Sequence, residues 1–172
     1  MYLPLLENQP SNLFFIRPRR FGKSIFLSML HAYYDCSKKE KFQTLFGDLW
    51  VGKHPTPLQG KYQVLHLDFS YVGGSIEKLE ENFNMYLRVK LDGFMRIYQD
   101  SYPEDVKEKF FKSDSAAEKL ALLQDETATK SIPLYLIIDE YDNFTNTVLN
   151  EQGENVYWAI THADGFYRDV FK

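Results

Sequence analysis

The stretch LFFIRPRRFGKS, residues 13–24, carries the pattern that decides the fold. Its first four residues, 13–16, are all apolar and predict a short strand buried on both faces, as in a parallel sheet. Pro18 favours an extended Arg17, so we expect the chain to leave the strand straight and then turn. A helix is predicted to open near Gly22, because apolar residues then recur at three- and four-residue spacing. They are Ile25, Phe26, Met29, Leu30 and Tyr33.

The end of this stretch matches the second half of the phosphate-binding loop pattern G-x-x-x-x-G-K-[ST], with Arg17 in place of the first glycine. A loop that leads from a strand into a helix directs backbone N–H groups and the positive end of the helix dipole at one point. Phosphate oxygens can be held there. Gly22 would let the backbone come close, Lys23 would neutralise the β- and γ-phosphates, and the Ser24 hydroxyl would ligate Mg²⁺.

The predicted nucleotide-binding residues are therefore those of the loop and of the first helical turn. They are Arg19, Arg20, Phe21, Gly22, Lys23, Ser24 and Ile25. The two arginines have two interpretations that stay open: they add positive charge at the triphosphate, or they pair with nearby acids such as Asp142.

A second motif, LYLIIDE at residues 134–140, is an apolar run that ends in two adjacent carboxylates. Ligands of open parallel sheets collect at the carboxyl ends of the strands, so we expect this end and the loop after Ile16 to share one edge. Asp139 is a predicted Mg²⁺ ligand together with Ser24. Glu140 is predicted to orient or deprotonate the attacking water, and Lys23 and Glu140 are the predicted catalytic residues.

The remaining pattern supplies one more strand and several helices. Residues 62–69 read as a second strand, and its last polar residues, Asp68 and Ser70, either join the same edge or simply cap the strand. Residues 47–60 indicate a loop, and about 75–125 a helical insertion with a capping box at Ser115. The long helix of this insertion is expected to bury Ile76, Leu79, Phe83, Tyr86, Leu87, Phe94 and Ile97. Residues 143–149 and 154–170 are also predicted helices. Strands interleaved with helices predict an α/β fold with a parallel sheet and flanking helices.

Composition places the chain among ordinary globular proteins. It has 172 residues, a net charge of -4, 44% hydrophobic and 26% charged residues, and one cysteine, Cys36. These values favour one domain and exclude the disordered, collagen-like and disulfide-rich classes. The sequence shows neither a signal peptide nor a membrane span, so a cytoplasmic protein is expected.

Three segments together resemble the AAA-ATPase-like family of bacterial proteins: LFFIRPRRFGKS (13–24), VLHLDFS (64–70) and IIDEYDNF (137–144). RPRRFGKS is the usual loop of that family, so Arg17 departs from the general loop pattern and not from the family's own. The resemblance implies a P-loop NTPase core that uses ATP and Mg²⁺. Family members commonly carry a C-terminal nuclease-like domain of the PD-(D/E)xK type, which makes nucleic acid a further candidate partner.

Two alternatives to an ATPase remain. In the glutamate-bearing class of P-loop proteins a further strand follows Asp139, and the 32 residues after Glu140 show no such pattern, so we expect an incomplete core whose C-terminal remainder is missing. Such a chain could bind nucleotide without hydrolysing it. A metal-dependent nuclease using Asp139, Glu140 and Asp142 is the other alternative, although Tyr141 stands where those enzymes usually place a lysine.

Overall fold

The computed structural model describes residues 3–9, 13–16, 20–73, 76–129 and 133–140. These residues form a mixed helix and sheet structure with a small parallel sheet of two strands. The chain divides into two compact units, Met1–Val64 and Leu65–Lys172. The helices are α1 (Leu3–Glu7), α2 (Lys23–Tyr34), α3 (Phe42–Phe46), α4 (Trp50–Lys53), α5 (Ile76–Tyr98), α6 (Glu104–Lys112) and α7 (Ala116–Thr129), and the strands are β1 (Gln63–Asp68) and β2 (Leu134–Asp139).

An aromatic cluster forms the core of the first unit. Tyr33, near the end of α2, is completely buried. The rings of Tyr34, Phe42 and Phe46 meet it edge-on, with centroids 5.1, 5.9 and 5.6 Å away. Edge-to-face pairs at these distances are the favourable geometry for aromatic rings, so the cluster fastens α2 to α3.

The predicted helix after Gly22 is confirmed, but its predicted apolar face is partly wrong. The buried side of α2 carries Leu27, Leu30 and Tyr34, whereas Ile25 is 77% exposed. The aromatic cluster at the end of the helix determines which side faces the core. Ile25, in the first turn, therefore stays on the outer side of α2.

Residues 13–16 are not a strand, so that prediction is wrong. The side chains of Phe14 and Ile16 are 80% and 85% exposed. A strand buries its side chains only where a sheet supplies neighbours, and the sheet in the described part of the chain consists of β1 and β2. Apolar composition alone therefore predicted burial that depends on long-range pairing.

The predicted loop at 47–60 contains the short helix α4, which the sequence did not reveal. Gly52 makes this helix possible, because a Cβ at that position would lie 1.8 Å from the carbonyl oxygen of Phe46. The backbone of α4 thus folds back closely on the end of α3. A glycine read as a loop marker is here required for close packing.

Both of the other strand predictions are confirmed. β1 covers nearly all of residues 62–69, and β2 covers residues 134–139. Ahead of β1, the N–H of Tyr62 donates to the carbonyl of Tyr34 at 3.0 Å, and the N–H of Cys36 donates to the carbonyl of Tyr62 at 2.8 Å. The end of α2 is thereby joined to the segment that leads into β1.

Residues 76–129, predicted as a helical insertion, form three helices, α5, α6 and α7, of which α6 was not predicted separately. Their shared core contains the fully buried Phe83, Phe110 and Leu123. Ile97, which was predicted on the buried face of α5, is 64% exposed, and Met95 takes the inner position instead. Ser115 caps α7 as predicted, since its Oγ accepts the N–H of Glu118 at 3.3 Å.

A buried lysine ties α7 to α5. Lys119 is 2% exposed and forms an ion pair with Asp92. Its ammonium also lies 4.8 Å from the centre of the Phe110 ring. A charge is buried at little cost only where a counter-charge or a ring face compensates it, and Lys119 has both.

The predicted helices at 143–149 and 154–170 lie outside the described residues. Among the residues that the structure describes, no helix is both long enough and apolar enough to cross a lipid bilayer.

Candidate functional site

The turn into α2 has an unusual backbone. Gly22, the residue before the helix, has φ +73° and ψ +26°, in the left-handed region. Helix N-caps normally adopt extended angles, and only glycine takes left-handed angles without a steric penalty. Arg20 also has a positive φ, +68°. Left-handed residues in a turn can bring successive N–H groups together, an arrangement found in anion-binding loops.

The first turn of α2 provides the donors of the predicted loop. The helix begins at Lys23, and its ladder starts where the N–H of Phe26 donates to the carbonyl of Gly22 at 3.0 Å. The first N–H groups of any helix cannot be satisfied within the helix, and they lie at the positive end of its dipole. Helix N-termini of this kind generally favour anions.

The side chains around this turn are accessible from solvent. Ser24 is exposed, Lys23 is partly buried, and Phe21 is 67% exposed. A Cβ added at Gly22 would meet no atom within 4 Å, so the space beside its backbone is open. Arg19 lies outside the described residues, whereas Arg20 is described and exposed.

The second predicted motif lies in the other unit, at the carboxyl end of β2. The Asp139 side chain is only 3% exposed, and its Oδ1 accepts the backbone N–H of Glu140 at 2.9 Å. Glu140 is partly buried and has φ +53°. A glutamate with left-handed angles is strained, so the surrounding structure must hold it in place.

Asp68 and Ser70, at the end of β1, form a local cap. The Oδ1 atom of Asp68 accepts the N–H of Ser70 at 3.0 Å and starts the 3-10 turn Phe69–Tyr71. This hydrogen bond confirms the capping interpretation given above for these residues. β1 and β2 are parallel neighbours, so the end of β1 and the carboxylates of β2 lie at one edge of the sheet.

The sequence did not predict a hydrogen-bonding role for one residue at this edge. The hydroxyl of Tyr86 on α5 accepts the N–H of Asp68 at 2.7 Å. Burial raises the pKa of Tyr86, and the nearby Asp68 carboxylate raises it further, whereas the Asp68 N–H lowers it. The sequence placed Tyr86 on an apolar face. The signal that could have found it is that a buried tyrosine hydroxyl nearly always has a partner.

Charge is divided unevenly along the chain. The unit Met1–Val64 has nine Lys and Arg against four Asp and Glu, a net charge of +5. The unit Leu65–Lys172 has 11 against 20, a net charge of -9. The unit that contains the predicted phosphate-binding loop is thus the basic one, although the whole chain is acidic.

Within the described ranges, no group of three or more His, Cys, Asp or Glu residues could hold a metal ion. Asp142, which the nuclease alternative also uses, lies outside those ranges. A Mg²⁺ ion shared with a nucleotide needs fewer protein ligands.

A family model described as "Predicted AAA-ATPase" matches residues 1–172, the whole chain. The chain belongs to the AAA-ATPase-like family. The resemblance seen in its three motifs is thereby confirmed. No curated protein and no solved structure matches the chain significantly. The family therefore indicates the type of protein, and the roles of single residues must be argued from their surroundings.

Proposed function

We propose that this chain is a P-loop domain that binds Mg-ATP at the start of α2 and hydrolyses it. The observation that carries the proposal is the left-handed Gly22 immediately before a helix that begins Lys23-Ser24. Membership of the AAA-ATPase-like family supports it. A P-loop NTPase core is part of the proposal.

The residues present suit Mg-ATP. The open space beside the Gly22 backbone leaves room for a phosphate group that a Cβ would obstruct. Backbone N–H groups, the Lys23 ammonium and the Arg20 guanidinium are all donors that phosphate oxygens accept. Mg²⁺ prefers oxygen ligands, which the Ser24 hydroxyl and the Asp139 carboxylate provide.

In this proposal the loop residues Arg19 to Ile25 bind the phosphates. Lys23 would contact the β- and γ-phosphates, and Ser24 and Asp139 would be the Mg²⁺ ligands. The metal ion, when bound, neutralises negative charge on the phosphate oxygens. The Lys23 ammonium and the bound Mg²⁺ would thus provide positive charge next to the phosphate oxygens. Stabilising the negative charge on these oxygens is the main contribution that a protein makes to phosphoryl transfer.

Glu140 is proposed to orient and deprotonate the attacking water. Its carboxylate follows the buried Asp139 directly, and the N–H of Glu140 is already engaged by Asp139. The left-handed φ at Glu140 turns the chain at this point. A general base must be held in a fixed position relative to its proton, and a strained but anchored residue fulfils that requirement.

The finer aspects of the function are proposals as well. Energy from ATP would act on a partner or on a nuclease-like domain of the kind that the family commonly carries, and nucleic acid would be reached through such a domain.

Phosphate release tests the catalytic part of the proposal. Glu140→Gln should lower the rate of ATP hydrolysis at least about 100-fold while ATP still binds, because the amide cannot accept the proton of water. Glu108→Gln is the matched control, because it removes one negative charge from an exposed position of α6 in the same unit. We expect Glu108→Gln to hydrolyse ATP at the wild-type rate.

Two results would contradict the assignment. If Glu140→Gln hydrolyses ATP as fast as the wild-type protein, Glu140 is not the base. If neither protein releases phosphate although both bind ATP, the chain is a nucleotide-binding module without hydrolytic activity.

A further inference from the structure

Helix α5 reaches the end of β1 through one side chain. The hydroxyl of Tyr86 accepts the N–H of Asp68, the last residue of β1, at 2.7 Å. The two residues are 18 positions apart in the chain. This hydrogen bond therefore fixes the helical insertion to the strand end, and it is not part of a helix or a sheet ladder.

The hydrogen bond lies in an aromatic environment. Phe69 is completely buried, and its ring centre lies 5.9 Å from that of Tyr86 and 5.5 Å from that of Phe83. In such surroundings an N–H that loses its acceptor is not readily rehydrated. The position of the Asp68 backbone consequently depends on the Tyr86 hydroxyl.

A second bond from α5 holds the far end of the same connection. The side-chain amide of Asn82 donates to the carbonyl of Gly73 at 2.7 Å. The connection that follows β1 is thus fixed by α5 at Asp68 and at Gly73. These two hydrogen bonds hold both Asp68 and Gly73 against α5.

The fixed connection contacts the strand that carries the carboxylates. Asp68 caps the turn Phe69–Tyr71 through the N–H of Ser70, and this turn contacts β2. β2 ends at Asp139, and the strained Glu140 follows. A displacement of the turn would therefore be transmitted to the end of β2, where Glu140 has left-handed angles that only its surroundings can maintain.

We propose that Tyr86 is a positioning residue for hydrolysis. Its hydroxyl holds the end of β1 and, through Asp68, the turn that contacts β2, the strand that carries Asp139 and leads into Glu140. This inference rests on the proposed function. It assigns the helical insertion a role in catalysis although no residue of α5 needs to touch the nucleotide. Tyr86 acts through Asp68 and the turn that follows it.

Tyr86→Phe is the variant that tests the proposal, because it keeps the ring and removes only the acceptor. The matched control is Ser115→Ala, which removes one hydrogen bond of similar worth from α7, in the same unit and away from the sheet edge. Steady-state hydrolysis is measured for the wild type and both variants at a temperature well below each melting temperature. Amide hydrogen exchange of a peptide that covers residues 68–71 is measured in parallel.

The proposal predicts a selective loss. In Tyr86→Phe, kcat should fall about tenfold, KM for ATP should stay within about twofold, and residues 68–71 should exchange faster, because a small misplacement of a catalytic group lowers the rate strongly. Ser115→Ala should keep the wild-type kcat.

Three results would overturn it. They are a wild-type kcat in Tyr86→Phe, a raised KM with unchanged kcat, and an equal fall of kcat in both variants, which would indicate a structural role alone. Absence of hydrolysis in the wild-type protein would instead overturn the hydrolytic part of the proposed function, and Tyr86 would then have no reaction to position. That failure is seen in the wild type before any variant is compared.

Discussion

Among the described residues, Arg20 and Glu140 are the two non-glycine residues with positive φ. Both belong to the predicted site, one in the phosphate-binding loop and the other after the buried Asp139. Strained backbone persists where function requires a particular geometry and the surrounding structure can hold it. The location of these two angles therefore supports the proposed site at the scale of single residues.

In most helix positions an alanine variant is more stable than a glycine variant, but the strain at Glu140 predicts the opposite order for its alanine and glycine variants. Glu140→Gly and Glu140→Ala both remove the carboxylate, and they differ only in the Cβ. At φ +53° that Cβ costs about 1 kcal/mol, so the glycine variant should be more stable than the alanine variant by about that amount. Urea unfolding of both proteins measures the difference.

A control position shows the normal order. Ala121 lies on the exposed side of α7, where Ala121→Gly should lower the free energy of unfolding by about 1 kcal/mol. If Glu140→Ala is the more stable of the two Glu140 variants, the left-handed angle is not retained in solution.

At the residue scale, the sequence predicted candidate side chains for the chemistry and missed how their backbones are held. Gly22 was expected to allow close approach of phosphate, and the structure adds a left-handed φ that excludes other residues without strain. Tyr86 was expected to pack only through its ring. Hydroxyl partners arise from tertiary contacts 18 residues apart, and no local pattern encodes them.

At the scale of elements, the helical insertion is held together by a buried charge. Lys119 of α7 is shielded by Phe110 and pairs with Asp92 of α5, whose side chain is 35% exposed. Two helices are thereby fixed in register by one polar contact within an apolar core.

Two substitutions at Lys119 should distinguish the effect of the lost charge on the free energy of unfolding from the effect of the lost side-chain volume. Lys119→Ala should lower the free energy of unfolding by about 3 kcal/mol, because it creates a cavity and leaves Asp92 without its partner. Lys119→Met keeps most of the volume, and the partly exposed Asp92 can be hydrated, so we expect a loss of about 1 kcal/mol or less. Urea unfolding monitored by circular dichroism gives both values, and equal losses in the two variants would show that packing volume is unimportant here.

Element boundaries were predicted well where the pattern is local. α2, α5, α7, β1 and β2 follow from periodicity and caps that lie within each segment, whereas α6 was not predicted as a separate helix. Residues 13–16 failed because burial of a strand depends on neighbouring strands that four apolar residues do not specify. The helix α4 was missed because Gly52 was taken as a sign of a loop, whereas it permits contact with the backbone of Phe46.

For the whole molecule, the division of charge bears directly on nucleotide binding. The basic unit contains Lys23 and the loop, and the acidic unit contains Asp139 and Glu140. A triphosphate is attracted to the first kind of surface and a metal ion to the second.

The most direct measurement is the affinity of Mg-ATP for the wild type, Lys23→Ala and Lys61→Ala, titrated with a fluorescent ATP analogue. Lys61 is an exposed lysine of the same unit, so its variant loses the same charge without touching the loop. Loss of a charged contact to phosphate costs about 1.5–3 kcal/mol, so Lys23→Ala should bind about 10- to 100-fold more weakly while Lys61→Ala stays within about twofold of the wild type. Equal affinity of the wild type and Lys23→Ala would contradict the assignment of the start of α2 as the nucleotide site.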